Sequence, residues 1–323
     1  MGEIHVEELD FVHAVEADQR ALFDIQVAWW TNALPTRALP DFSGWVRRRQ
    51  TLEIGWGRPR FAVARENGRI VGYADGYLPT SDNAHLVAGN VLVDPRWRRR
   101  GIGTALLRFA LRQANRESAE ASWVPEGSVG VRWAINRGFA VASSLTLQEL
   151  VLTDPLPEVG EVPSGYRLTQ WTGRAPDDLL VAYADALNAA NDQPMGGSAI
   201  ELATHTPETV RQEEDALSAA GVDEWVVLAT HDGEAAAVTV LQRTLSRPSV
   251  GHQRHTSVVP AHRGKGLGRL VKAHQLRQLT GIEIIETETN STNEHMRRIN
   301  HSLGFTDRIT TVDLSARVAD LKL

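Results

Sequence analysis

The 323-residue chain contains no cysteine, which excludes disulfides, thiolate metal sites and a cysteine nucleophile. It has no apolar run approaching the roughly 18 residues that a membrane-spanning helix requires. Its first ten residues are polar and acidic, without a basic-then-apolar leader pattern. Nor is there an excess of positive charge, since 34 Lys+Arg stand against 40 Asp+Glu for a net charge of −6. A chain of that sign does not attract nucleic acid as a bulk electrostatic partner. These absences predict a cytoplasmic protein with neither nucleic acid nor membrane as partner, either monomer or homodimer. With 42% hydrophobic and 23% charged residues the composition is that of an ordinary globular chain, and its length suits two domains.

One short motif occurs twice, 165 residues apart: Arg98-Arg99-Arg100-Gly101-Ile102-Gly103 and Arg263-Gly264-Lys265-Gly266-Leu267-Gly268. Each follows a valine-rich strand that ends at a proline, Pro95 or Pro260, and each opens a helix. Glycine lets the backbone turn tightly and approach a ligand without a Cβ in the way. The helix behind it aims free N–H groups and the positive end of its dipole into the turn, which favours phosphate or pyrophosphate. A phosphorylated cofactor is therefore expected, at one or both turns.

Other landmarks keep the same register. Asn67-Gly68 and Asp232-Gly233 are hairpin turns between strand-like runs, and Gly138-Phe139 matches Gly304-Phe305 at an offset of 166. Such agreement predicts a duplicated domain. The proline-bearing segment Thr153–Gly165 reads as the linker, which divides the chain into domains 1–155 and 164–323. Each half reads strand, helices, hairpin, long strand, turn and helix, strand, helix, strand, an α/β alternation that predicts a mixed sheet with helices on both faces. Trp29 and Trp30 are expected to pack the core.

The run Val-x-Val-x-Pro, Arg-x-x-Gly-x-Gly, helix, strand and a short helix ending in Gly-Phe resembles the GNAT superfamily of acyl-CoA-dependent N-acyltransferases. Because it covers most of both halves, the chain resembles a tandem GNAT protein, in architecture like mycothiol synthase, each domain a mixed, mostly antiparallel twisted sheet flanked by helices. The resemblance implies acetyl-CoA as cofactor, no metal, and a small-molecule amine as acceptor. It also implies that the turn amides hold the pyrophosphate, involving Arg98, Arg99, Arg100, Gly101, Gly103 and Thr104 in one half and Arg263, Gly264, Lys265, Gly266, Gly268 and Arg269 in the other. Val91 and Val93, and Thr256 and Val258, would flank pantetheine, with Asn290 and Asn293 holding its amides.

The halves differ. The stretch before the first turn, Val87-Ala88-Gly89-Asn90, has no titratable side chain, whereas the second has Gly251-His252-Gln253-Arg254-His255-Thr256. The C-terminal domain is therefore expected to be catalytic and the N-terminal one degenerate or structural, though still able to hold CoA. Histidine suits base work near neutrality, so His255 and then His252 are the candidate bases. Regular strand alternation would place His252 and Arg254 on one face and Gln253 and His255 on the other. Family members often carry a tyrosine acid four residues before the Gly-Phe glycine; here those positions are Ala134 and Asn300. Asp192, with Asn191, is the candidate for binding a substrate ammonium. The alternatives to a small-molecule N-acetyltransferase are a non-catalytic acyl-CoA-binding or sensing protein and a protein N-acetyltransferase.

Overall fold

Why two similar halves give two similar sheets is visible in a computed structural model, which describes residues 3–33, 39, 41–50, 56–80, 82–192 and 196–323. The first half runs β1 (Ile4–Leu9), α1 (Glu16–Ala33), α2 (Phe42–Gln50), β2 (Arg60–Glu66), β3 (Arg69–Tyr77), β4 (Leu86–Val93), α3 (Ile102–Ala114), β5 (Ser118–Pro125), α4 (Val129–Ile135) and β6 (Ala140–Val151). The second runs β7 (Tyr166–Thr172), α5 (Leu180–Asn188), α6 (Pro207–Ala219), β8 (Asp223–His231), β9 (Glu234–Arg243), β10 (Val250–Val258), α7 (Leu267–Leu276), β11 (Ile284–Asn290), α8 (Glu294–Ser302) and β12 (Thr306–Arg317).

The chain forms two compact units. One takes the described residues of Met1–Ser144, Met195–Glu201 and Thr310–Leu323, and the other those of Leu145–Pro194 and Leu202–Ile309. The first unit's strands run β1-β2-β3-β4-β5-β12 and the second's β7-β8-β9-β10-β11-β6. Both are antiparallel except for one parallel pair, β4 with β5 and β10 with β11. The last strand of each half is thus exchanged: Thr311–Arg317 of β12 pairs with β5, and Leu145–Val151 of β6 pairs with β11. Duplication makes this workable, because the two halves present equivalent open edges. Side chains then fix each visitor, Asp313 of β12 accepting from Ser143 Oγ at 2.6 Å in the first unit and Gln148 of β6 donating to Asp307 at 2.8 Å in the second.

Local chemistry explains the elements. Asn67 and Gly68, and Asp232 and Gly233, all have positive φ, as a two-residue hairpin turn demands. Thr206 and Thr209 form a reciprocal capping box at the start of α6, with Pro207 in its first turn. Each sheet buries both faces. In the second unit Leu267, Leu270 and Val271 of α7 pack on Val227, Ala229 and Ala237, while Tyr183, Ala186 and Leu187 of α5 pack on Val226, Leu228, Val238 and Val240 of the opposite face. In the first unit Ile102 and Leu106 of α3 pack on Ala62, Ala64 and Val71, and α1 covers Phe61, Val63 and Tyr73, with Trp29 and Trp30 partly buried beside them. Each fully buried leucine in these layers contributes about 2–3 kcal/mol. No helix among the described residues is long and apolar enough to cross a membrane.

Candidate active site

Both repeated turns open a helix with an uncapped end. Gly264 and Gly266 take φ of +77° and +75°, and in the first copy Arg99 and Gly101 take 63° and 79°. A residue with a Cβ reaches that conformation only with strain, so the second copy, with glycine at both points, is the more relaxed. Neither Gly101 nor Gly266 supplies a side-chain cap, and the first i−4 bonds are donated by Ala105 and Leu270. The amides of residues 102–104 and 267–269 therefore point out of their helices, an anion cradle. At Gly103 and Gly268 an added Cβ would meet its nearest neighbours at 3.5 Å and 3.4 Å. That is ordinary contact, so internal packing does not demand glycine there. The turns fit a pyrophosphate.

The flanking cations mostly brace the turns. Arg98 Nε donates to Val93 O at 3.2 Å and Arg263 Nε to Val258 O at 3.0 Å. Arg263 also reaches Asp192 Oδ2 at 2.6 Å, so Asp192 is engaged by the cradle's own arginine, and Asn191 Nδ2 donates to Ala203 O. Arg100 is held by Glu66, Lys265 Nζ donates to the Tyr166 hydroxyl at 2.8 Å, Arg269 donates to Ser302 and Glu158, and Thr104 accepts from Arg137. The backbone is the open part of the cradle.

Beside each cradle the sheet splits. β10 pairs with β11 only from Val250 to Gln253, and β4 with β5 only from Leu86 to Ala88. Past those points the inner edges that carry Thr256 and Val258, and Val91 and Val93, leave the ladder, as a strand receiving an extended ligand would. Asn290 Oδ1 accepts from the amide and hydroxyl of Thr292, and Asn293 Oδ1 caps α8 at Met296 N. Both Nδ2 groups lack a protein acceptor among the described residues.

The two sheets differ where the split begins. In β10 the register slips between Gln253 and His255, inserting Arg254 as a bulge, whereas β4 pairs with β3 without interruption. The bulge overturns the alternation expected from sequence. Gln253 bonds Gln275 of α7 at 3.0 Å, while the His255 ring bonds Ser257, whose hydroxyl donates to Ala186 O of α5. Gln253 and His255 therefore lie on opposite faces. His252 is in register with Gln242 and through it with Glu224, which touches Tyr183 of α5. One inserted residue thus turns both histidines toward α5.

The proton position on His255 follows from its partner. Ser257 spends its hydroxyl hydrogen on Ala186 O, so it accepts from His255 Nε2–H at 3.1 Å, leaving Nδ1 with a free lone pair. Burial, with His205 and Arg254 nearby, holds this imidazole down to about 4, so it is neutral at physiological pH. Around it are groups that sequence reading missed. Glu224 is pushed up to about 7 by burial and accepts from Gln242 at 2.7 Å. Glu213 of α6 is also raised by burial and lies 3.8 Å from His205 Nδ1. His252 lies 3.7 Å from Glu288. The available signal was a glutamate at an inward-facing strand position, Glu224, directly before the apolar run Trp225–Ala229.

The first unit fills the corresponding space differently. Asn90 N donates to Asp75 Oδ1 at 3.2 Å, and Glu120, where β4 and β5 part, accepts from Ser198 Oγ at 2.7 Å and Ala199 N at 2.9 Å.

Asn300, four residues before Gly304, belongs to a buried network. It accepts from Lys272 Nζ at 2.6 Å and donates to Gln148 Oε1 at 2.7 Å. Lys272 is 2% exposed, and burial depresses it to about 7. Its ammonium is disfavoured in the fold, so the unfolded chain binds more protons between pH 7 and the usual lysine range. Stability is expected to rise with pH across that window, by up to ~1.4 kcal/mol per unit. Lys272→Met should remove the rise. Urea unfolding at pH 7 and 9 measures it, and equal slopes for both proteins would mean that the ammonium is well solvated.

Comparison with known proteins agrees with this architecture. Residues 20–131 match the model of the acetyltransferase (GNAT) family. A mycothiol acetyltransferase of Thermomonospora curvata is 30% identical over 261 residues, 79% of this chain and 82% of that protein, and one of Nocardia farcinica is 29% identical over 260 residues, 76% and 80%. Among solved structures, a tandem GNAT protein from the clavulanic acid biosynthesis pathway aligns with a TM-score of 0.78 and 26% identity over 98% of both chains. A GCN5-related N-acetyltransferase from Sphaerobacter thermophilus shares the fold at a TM-score of 0.72 and 16% identity, over 97% of this chain and 95% of that one. Two cradles, two split sheets and these likenesses together make the chain a member of the GNAT acetyltransferase family in its tandem form, an acyl-CoA-dependent N-acyltransferase.

Proposed function

We propose that the chain transfers the acetyl group of acetyl-CoA to a primary amine of a small molecule, and that the second unit performs the reaction. The observation that carries this reading is the bulge in β10, which sets the His255 imidazole, its Nε2 bonded to Ser257, where the sheet splits beside the glycine turn that opens α7. The donor supplies an activated acetyl thioester. The amides opening α7 would hold its pyrophosphate, the freed edge of Thr256–Val258 its pantetheine arm, and the Asn290 and Asn293 amides that arm's carbonyls. The bulge also frees a strand N–H from the ladder to meet charge developing on the acetyl oxygen. As the amine nitrogen bonds to the acetyl carbon, His255 Nδ1 would take the proton that the amine gives up, while the C–S bond breaks and CoA leaves as a thiolate that is then protonated to the free thiol. Glu213 and Glu224 make this face attractive to an ammonium. That the similar proteins are named mycothiol acetyltransferases supports a small-molecule acceptor.

A thiol-release assay with acetyl-CoA, run over a panel of small amines, a lysine-bearing protein and a free protein N-terminus, tests the reading. Turnover on small amines is expected. Turnover confined to protein acceptors replaces the substrate class, and tight acetyl-CoA binding without turnover on any acceptor leaves a binding protein.

A further inference from the structure

The bulge leaves one charge without a protein partner. Arg254 is the inserted residue and is exposed, and among the described residues it makes no hydrogen bond or ion pair. Gln253, the residue before it, turns its side chain to Gln275 of α7, so strand alternation sets the guanidinium on the opposite face, the one covered by α5 to which His255 also turns. The other arginines of this region are committed: Arg243 to Asp223, Arg247 to Glu286 and Arg263 to Asp192. Two glutamates lie on the same face. His205 is clamped to Asn188 by two bonds of 2.8 Å and stands beside Glu213, with Glu224 deeper on the same face. The site therefore offers a guanidinium without a hydrogen-bonded partner together with two glutamates, with the free Nδ1 of His255 next to the guanidinium in sequence.

A guanidinium presents a planar fork that matches carboxylate or phosphate. Resting on the proposed function above, we propose that the acceptor is an amine carrying an anionic group, which Arg254 binds while Glu213 and Glu224 receive the ammonium and His255 takes its proton. Arg254 and His255 are neighbours on one face of the strand, which suits an acceptor whose amine and anion are close together, such as a short amino acid or an aminoalkyl phosphate.

Matched acceptors test this at saturating acetyl-CoA: β-alanine against its amide, and ethanolamine phosphate against ethanolamine, with the wild type, Arg254→Gln and Arg254→Lys. The wild type is expected to prefer the anionic member of at least one pair by tenfold or more in kcat/KM, and the pair that shows it tells carboxylate from phosphate. Arg254→Gln should erase that preference through KM, leaving acetyl-CoA affinity unchanged. Arg254→Lys, which keeps the charge but not the fork, should fall between. Equal rates within both pairs, or a uniform loss on all four acceptors in Arg254→Gln, overturns the anionic acceptor while amine acetylation stands. Bound acetyl-CoA with no turnover on any of the four, nor on the wider amine panel, overturns the proposed function and this inference with it.

Discussion

Replacing His255 with alanine is expected to lower kcat by about 10²–10³-fold while the dissociation constant of acetyl-CoA stays where it was. The imidazole sits at the split, not in the cradle, so its loss removes a proton acceptor without touching the amides that open α7. Its Nε2–H is committed to Ser257, which fixes the basic lone pair at Nδ1, so Ser257→Ala should reproduce part of the loss by freeing the tautomer. The pH profile supplies a second readout. Because His255 is held near 4, the limb it sets in kcat lies near pH 4 and not near the usual 6.5. The same depression acts on folding. The unfolded chain binds the extra proton between pH 6.5 and 4, so His255 draws stability down as pH falls through that window, and His255→Ala should flatten the decline. A variant with unaltered kcat, or one that loses acetyl-CoA instead, removes His255 from the chemistry.

Gly266→Val is expected to weaken acetyl-CoA binding by about 100-fold, the equivalent of losing one or two charge-assisted hydrogen bonds, and to abolish turnover at ordinary donor concentrations. A β-branched residue is poorly tolerated at φ +75°, so the turn must shift and the amides of residues 267–269 lose their common aim. Nothing lies within 4 Å of the added Cβ, so the fold itself should survive, which circular dichroism can check. Gly101→Val does the same to the first cradle and should leave turnover intact. Calorimetric titration of both variants with acetyl-CoA, beside a thiol-release assay, separates the two sites. Turnover lost in Gly101→Val and kept in Gly266→Val would move catalysis to the first unit.

Much of this was legible in the sequence, because it rests on local chemistry. The hairpin turns fall at Asn67-Gly68 and Asp232-Gly233, and each repeated glycine turn opens a helix, as their patterns specify. What escaped was set by relations between segments. The bulge at Arg254 depends on how β10 registers against β9, and no run of ten residues announces a one-residue slip, yet that slip decides which face His255 occupies. Glu213 and Glu224 are 11 residues apart on a helix and a strand, and only the packing of α5 and α6 brings them to one lining. The exchange of final strands was equally silent, since a strand's own pattern does not name the edge on which it pairs.

That exchange has a consequence for how the molecule can be taken apart. Proteolytic cleavage between residues 156 and 163 would sever the chain once and still release neither piece, because each fragment carries a strand that completes the other's sheet. Expressed alone, either fragment would present an unfilled edge on β5 or β11, prone to capture a stray strand from another chain; mixed, the two fragments can satisfy one another. The repeat has become a heterodimer written on one chain, and its halves are inherited together.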